Sequence, residues 1–207
     1  MSNRYFIVLY LLFFGLNVFS QDTTYYENTS QLNSVGKYLN GSKHGKWVYY
    51  FPNGVTSAVQ FYDHGALMGS QTYYYPNGVL QAIEHWQFDL LVDSAIYYYD
   101  NGVTEKAGEY REGLYGGEWR FYYSNNTLKR VGCYKMGVPI GGWLFYYENG
   151  ILWQSGALNN GEDDGWWQYH DESGQLTYEG LFRQGKQVGT WYKYHKNGKK
   201  KKWKNFD

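Results

Sequence analysis

Cysteine and proline are almost absent from this 207-residue chain, which holds one Cys and three Pro. The lone Cys133 excludes an intrachain disulfide, and a single thiol with no motif around it gives no ground for a reactive role. Net charge is also absent, with 19 Lys+Arg against 19 Asp+Glu, so no global field draws the chain to nucleic acid and no nucleic-acid partner is expected. The local exception is the basic run Lys199 to Lys204, read as a solvated end able to touch phosphate or lipid headgroups. Catalytic patterns are missing as well: no G-x-S-x-G elbow occurs, and no glycine-rich phosphate loop leads from a strand into a helix. His44, His64, His85, His170 and His195 lack close ligand spacing, and "GEDDG" at residues 161–165 matches no complete calcium loop. The expectation is therefore no catalytic residue, no cofactor, no metal site and no enzyme.

Long apolar runs are confined to the start of the chain. Arg4 precedes "YFIVLYLLFFGLNVF", residues 5–19, followed by Ser20 and Gln21. The run has the length of a signal-peptide core and falls short of the roughly 20 apolar residues that a membrane span needs. Residues 1–20 are predicted to be a signal peptide and residues 21–207 the mature domain. The expected location is periplasmic, outer-membrane-associated or secreted. With no cysteine near the cut, a lipid-modified N-terminus is not expected.

What the chain has in abundance is 25 Tyr, 9 Trp, 11 Phe and 26 Gly, a mixture that suits pleated strands and tight turns. These residues recur. Turn dipeptides stand at 53–54, 77–78, 101–102, 125–126, 149–150, 173–174 and 197–198, each 24 residues after the last. Two glycine columns keep the same step, Gly113, Gly137, Gly161 in one and Gly117, Gly141, Gly165 in the other, and so does the column Trp47, Trp119, Trp143, Trp167, Trp191. A further aromatic column runs Tyr110, Tyr134, Leu158, Phe182. Such a period marks a repeat architecture.

Each unit is predicted to be a β-hairpin, with Asn-Gly supplying a two-residue type I′ turn. The fold class that follows is all-β: an elongated, single-layer antiparallel meander of about eight 24-residue hairpins, each touching only its neighbours. Counting outward from a two-residue turn sets Trp119 against Gly132, Trp143 against Gly156 and Trp167 against Gly180. These six residues are assigned a structural role, the indole lying over the bare backbone of the glycine opposite it. Alternation puts Trp143 and Phe145 on one face and Tyr146 on the other. The ladder Tyr50, Tyr74, Tyr98, Tyr122 and Tyr146 is the candidate binding surface, because contiguous aromatic area marks contact sites.

The motif G-x-W-x-x-Y-x-x-N-G, clearest in "GGWLFYYENGILWQSGALNNGEDDG" at residues 141–165, resembles the MORN repeat. It resembles more closely the bacterial variant found in proteins labelled YwqK-family antitoxins. The resemblance covers nearly all of residues 25–207 and implies a scaffold. Three functions are expected in order: an exported, non-enzymatic scaffold binding a protein partner along an aromatic face; a binder of cell-envelope carbohydrate or lipid; and an antitoxin-like inhibitor. Exposed edge strands make a dimer a further expectation.

Overall fold

A computed structural model of the chain describes residues 18–207. The predicted signal peptide lies outside the described residues except for 18–20, of which Phe19 and Ser20 pair with Leu39 and Tyr38. Among the described residues there are 17 strands and no helix. Strand β1 is Phe19–Tyr25, β2 Leu32–Leu39, β3 Ser42–Tyr50, β4 Thr56–Asp63, β5 Ala66–Leu67, β6 Gly69–Tyr74, β7 Leu80–Gln87 and β8 Leu90–Tyr98. They continue as β9 Thr104–Arg111, β10 Leu114–Tyr122, β11 Leu128–Lys135, β12 Val138–Tyr146, β13 Leu152–Asn159, β14 Glu162–His170, β15 Leu176–Arg183, β16 Lys186–Tyr194 and β17 Lys200–Phe206. Each pairs antiparallel with the next, except that β5 and β6, separated by a break at Met68, both pair with β4, so the chain is one open meander. The all-β repeat expectation holds. The basic run forms most of an edge strand, β17, a placement that discourages edge-to-edge pairing.

The turns are distributed differently from the sequence expectation. At Asn149-Gly150, Tyr147 N–H donates to Ile151 O and Gly150 N–H to Tyr147 O, closing a three-residue loop in which Gly150 has φ +85° while Asn149 keeps an ordinary negative φ. This is a type I turn followed by a left-handed glycine, not type I′. The pairing count survives because a bulge between Phe145 and Tyr146 takes up the extra loop residue, so Trp143 still faces Gly156. Asparagine is there for its amide. Oδ1 of Asn149 accepts from Ile151 N–H at 3.0 Å, and Nδ2 donates to Glu172 O in the next loop at 3.2 Å. Tyr147 adds a second stitch, its hydroxyl donating to His170 O at 2.9 Å, and Tyr75, Tyr99 and Tyr123 repeat the bond in their own units. The two-residue turns with both φ positive are at the handovers between hairpins, as at Met136 (φ 50°) and Gly137 (φ 77°).

The tryptophans also differ in what they cover. The register is the expected one, Trp119 with Gly132, Trp143 with Gly156 and Trp167 with Gly180. The rings, however, lean the other way, across the handover seam. A Cβ added to Gly132 would collide with the Trp143 indole, one on Gly156 with Trp167, one on Gly180 with Trp191, one on Gly108 with Trp119 and one on Gly36 with Trp47. The cause is a bulge: Val131 pairs with Leu144 and Cys133 with Ile140, so two steps on β11 face four on β12, and Gly141 takes φ +69° inside the excess. A bulged strand bends, and the bend seats the indole on the glycine 11 residues earlier in sequence.

The seated rings are the core. Trp119, Trp143, Trp167 and Trp191 are 0–2 % exposed although the sheet is a single layer. Each meets an aromatic edge from the preceding strand where one is present: Tyr110 on Trp119 at 5.2 Å and 82°, Tyr134 on Trp143 at 5.2 Å and 86°, Phe182 on Trp191 at 5.1 Å and 85°. Edge-to-face contacts of this kind add about 0.5–1.5 kcal/mol to area burial.

Candidate functional site

The tryptophan face opens into a groove of about 550 Å³ near its C-terminal end. Tyr169 of β14 and Trp191 of β16 form its floor, ring centroids 6.1 Å apart. Trp153 of β13 and Trp203 of β17 form its flanks and are 42 % and 48 % exposed, unlike the tryptophans of the seams. Tyr147 packs on Trp153 at 6.0 Å, and Tyr178 meets Trp203 edge-on at 5.1 Å and 64°. Trp153 and Trp203 both sit where the strand register slips, beside the pairs Tyr146–Leu152 and Tyr192–Lys202.

Polar groups punctuate this surface. His170, Asp171, Thr177 and Gln187 complete the lining. Thr177 Oγ1 is committed to Tyr169 O at 2.8 Å, whereas Nδ1 of His170 is buried without a hydrogen-bond partner. Asp171 titrates below the usual carboxylate range because its oxygen accepts from the Ser173 hydroxyl and from the N–H groups of Gln175 and Ser173. Burial, reinforced by Asp163, pushes the Tyr169 phenol up to about 12, so it remains a neutral donor at physiological pH. Lys193 stands 5.5 Å from the Tyr178 ring, and Trp203 is flanked in β17 by Lys201, Lys202 and Lys204. The arrangement offers flat aromatic area with a basic rim, and no nucleophile activated by a base.

None of Tyr50, Tyr74, Tyr98, Tyr122 and Tyr146 lines this groove. Each ends the first strand of its hairpin half-buried, and the carbonyls of Tyr50, Tyr98, Tyr122 and Tyr146 accept the tyrosine hydroxyl bonds that tie the loops together. Trp119, Trp143 and Trp167 are buried in the seams, and Gly132, Gly156 and Gly180 lie beneath the indoles of Trp143, Trp167 and Trp191. The carboxylates of "GEDDG" become the successive strand residues Glu162, Asp163 and Asp164, which alternate between faces and so do not converge. Trp153 and Trp203 carried a sequence signal that the columns obscured: their counterparts in neighbouring units are polar or small, Lys129, Thr177 and Lys201 for the first, Ser155 and Glu179 for the second. The fold also gathers His44, Asp63 and His64, whose donor atoms lie within 4.8 Å of one another, though 19 residues separate the first two in sequence.

Three segments, residues 43–64, 69–87 and 115–136, match the MORN repeat variant family. No curated protein matches the chain. Among solved structures, chains in "Crystal Structure of TcdB2-TccC3-Cdc42" and "Crystal Structure of TcdB2-TccC3" match at 13 % identity over 85 % of this chain, with TM-scores of 0.21 and 0.20. This chain spans 13 % of the length of each.

Proposed function

The chain is a protein of MORN repeats of the variant type, and from that premise we propose that it is an exported, non-enzymatic scaffold whose C-terminal groove binds a protein partner. MORN repeats are generally protein- or membrane-binding repeats. The observation that carries the reading is the groove between Trp153 and Trp203, where two large rings stay exposed in a chain that buries its other tryptophan column almost completely. Tryptophans of this kind anchor protein interfaces, and the basic rim suits a segment with apolar side chains flanked by acidic ones. A second reading is supported by the polar lining: rings accompanied by His170, Asp171, Thr177 and Gln187 also suit a saccharide of the cell envelope.

One experiment separates them. From an envelope fraction, the mature chain, with Gln21 as its expected N-terminus, should retain one protein at fixed stoichiometry. Trp153→Ala with Trp203→Ala should weaken that complex by about 30-fold or more, the loss of a hot spot worth about 2 kcal/mol. Tyr98→Ala with Tyr122→Ala should leave it intact. Retention on peptidoglycan lost in the tryptophan pair would favour the saccharide, and binding indifferent to both tryptophans would overturn the groove as the site.

A further inference from the structure

At the opposite end of the sheet, three metal-binding side chains converge on a turn. His44 lies in β3, Asp63 closes β4, and His64 opens the handover turn with φ 48°. That turn is fixed to the strand bearing His44 by the Gly65 N–H, which donates to Lys43 O at 2.9 Å. Nδ1 of His64 is 2.7 Å and Nδ1 of His44 3.3 Å from the same Asp63 oxygen, and the two imidazoles meet edge-on at 5.6 Å and 71°. Nδ1 of His44 is buried and makes no hydrogen bond.

We propose that His44, Asp63 and His64 form a binding site for a divalent transition-metal ion of the zinc class. Imidazole and carboxylate ligands at about 2.1 Å in tetrahedral array stand about 3.4 Å apart, the scale on which these three donors are spaced. Two nitrogen donors favour zinc and its neighbours over calcium or magnesium, which take oxygen. Three protein ligands leave a fourth position to water or to a partner's side chain.

The repeat supplies its own control. Three equivalent positions in later units carry Val92, Arg111 and Glu112, then Ile140, Asn159 and Asn160, then Asp164, Arg183 and Gln184. The fold therefore requires neither imidazole, and in these three units the position of Asp63 is basic or amide. All three donors occur together in this one unit. The strained αL turn position is met elsewhere by Asn40 and Asn160, so a histidine there is not dictated by the backbone.

Those equivalents provide variants that keep the fold. The untagged full chain, stripped of metal by chelator, is titrated with ZnCl2 in a calorimeter, alongside His44→Val, His64→Asn and His85→Ala. One zinc per chain is expected, with affinity lowered about tenfold or more in each of the first two variants, since even an outer-shell loss costs that much. His85→Ala should bind as the parent does, and CaCl2 and MgCl2 should give no binding. Failure to take up one zinc overturns the proposal. So does uptake undiminished in His44→Val and His64→Asn, provided their melting temperatures show them folded.

Discussion

At the scale of single residues, the decisive contact is between an indole and a glycine, and the sequence pointed to the wrong glycine for Trp143. Counting from the turn identified its cross-strand neighbour, Gly156, but nothing in the residue pattern counts the two-residue excess at Gly141 that swings the ring onto Gly132. Double-mutant coupling distinguishes the two. Trp143→Ala is expected to cost about 3–5 kcal/mol, and Gly132→Ala about 1–3 kcal/mol by forcing the ring aside. In the background of Trp143→Ala the glycine change should become nearly neutral in urea melts, while Gly156→Ala should keep its full cost because Trp167 still covers it. Gly142→Ala, which meets nothing within 4 Å, is the control and should shift stability by no more than about 0.5 kcal/mol. A second residue-scale effect concerns Glu179, whose side chain is 8 % exposed. Burial alone would raise its pKa, but bonds from Lys200, Tyr194 and Gln168 outweigh burial and hold it at about 2 against an ordinary 4.5. A depressed carboxyl contributes stability above its unfolded pKa and loses it as pH falls from about 4.5 to about 2. Glu179→Gln should therefore flatten the acid limb of melting temperature against pH across that window and leave its shape near neutrality unchanged.

At the scale of elements, strands and reversals were legible because a 24-residue period with aromatic runs between turn residues admits few other readings. The turn types were not. Asn-Gly is the usual signal for type I′, yet here the asparagine serves a loop-to-loop amide bond and only the glycine is left-handed. The paired left-handed turns fall instead at sites such as Glu112-Gly113, Met136-Gly137 and Gln184-Gly185, whose first residues carry no positive-φ signature. The fold imposes that conformation because antiparallel strands joined by two residues need its twist. Met136 is 72 % exposed at φ 50°, so its side chain contributes little packing to offset the backbone cost. Met136→Asn, the residue found in this column at Asn40 and Asn160, should stabilise the protein by about 0.5–1 kcal/mol. The measurement is the urea midpoint at unchanged slope. If the Asn-Gly loops were the type I′ turns instead, Met136→Asn would gain nothing.

At the scale of the whole molecule, stability is a sum over seams between neighbouring hairpins, as in other repeat proteins. The aromatic groove was poorly legible because Trp153 and Trp203 are departures from the repeat, and a periodic sequence displays what recurs. The seams obey a rule visible only with the fold in hand: a glycine is followed 11 residues later by tryptophan at 36/47, 108/119, 132/143, 156/167 and 180/191. Both members change together at Gln60/Gln71 and at Glu84/Ala95. In the first of these, Gln71 is fully buried and replaces ring packing with hydrogen bonds to Phe61 N–H and to the carbonyls of Phe61, Met68 and Gly69. In the second, Glu84 accepts from the Tyr97 hydroxyl at 2.7 Å and from the Trp86 indole at 3.0 Å, beside the small Ala95. These two seams lack the indole seated on glycine that closes the tryptophan seams, so amides from β4 to β8 should open at lower free energy in native-state hydrogen exchange than those from β10 to β16. Grafting the rule tests the cause. Ala95→Trp alone should destabilise, because its indole would meet the Glu84 side chain instead of bare backbone. Adding Glu84→Gly should reverse the loss and raise protection of β7 and β8 toward that of the C-terminal strands. Protection that is uniform along the parent sheet, or a double variant no more stable than Ala95→Trp alone, would show that the indole-on-glycine seam is not what sets the order of opening.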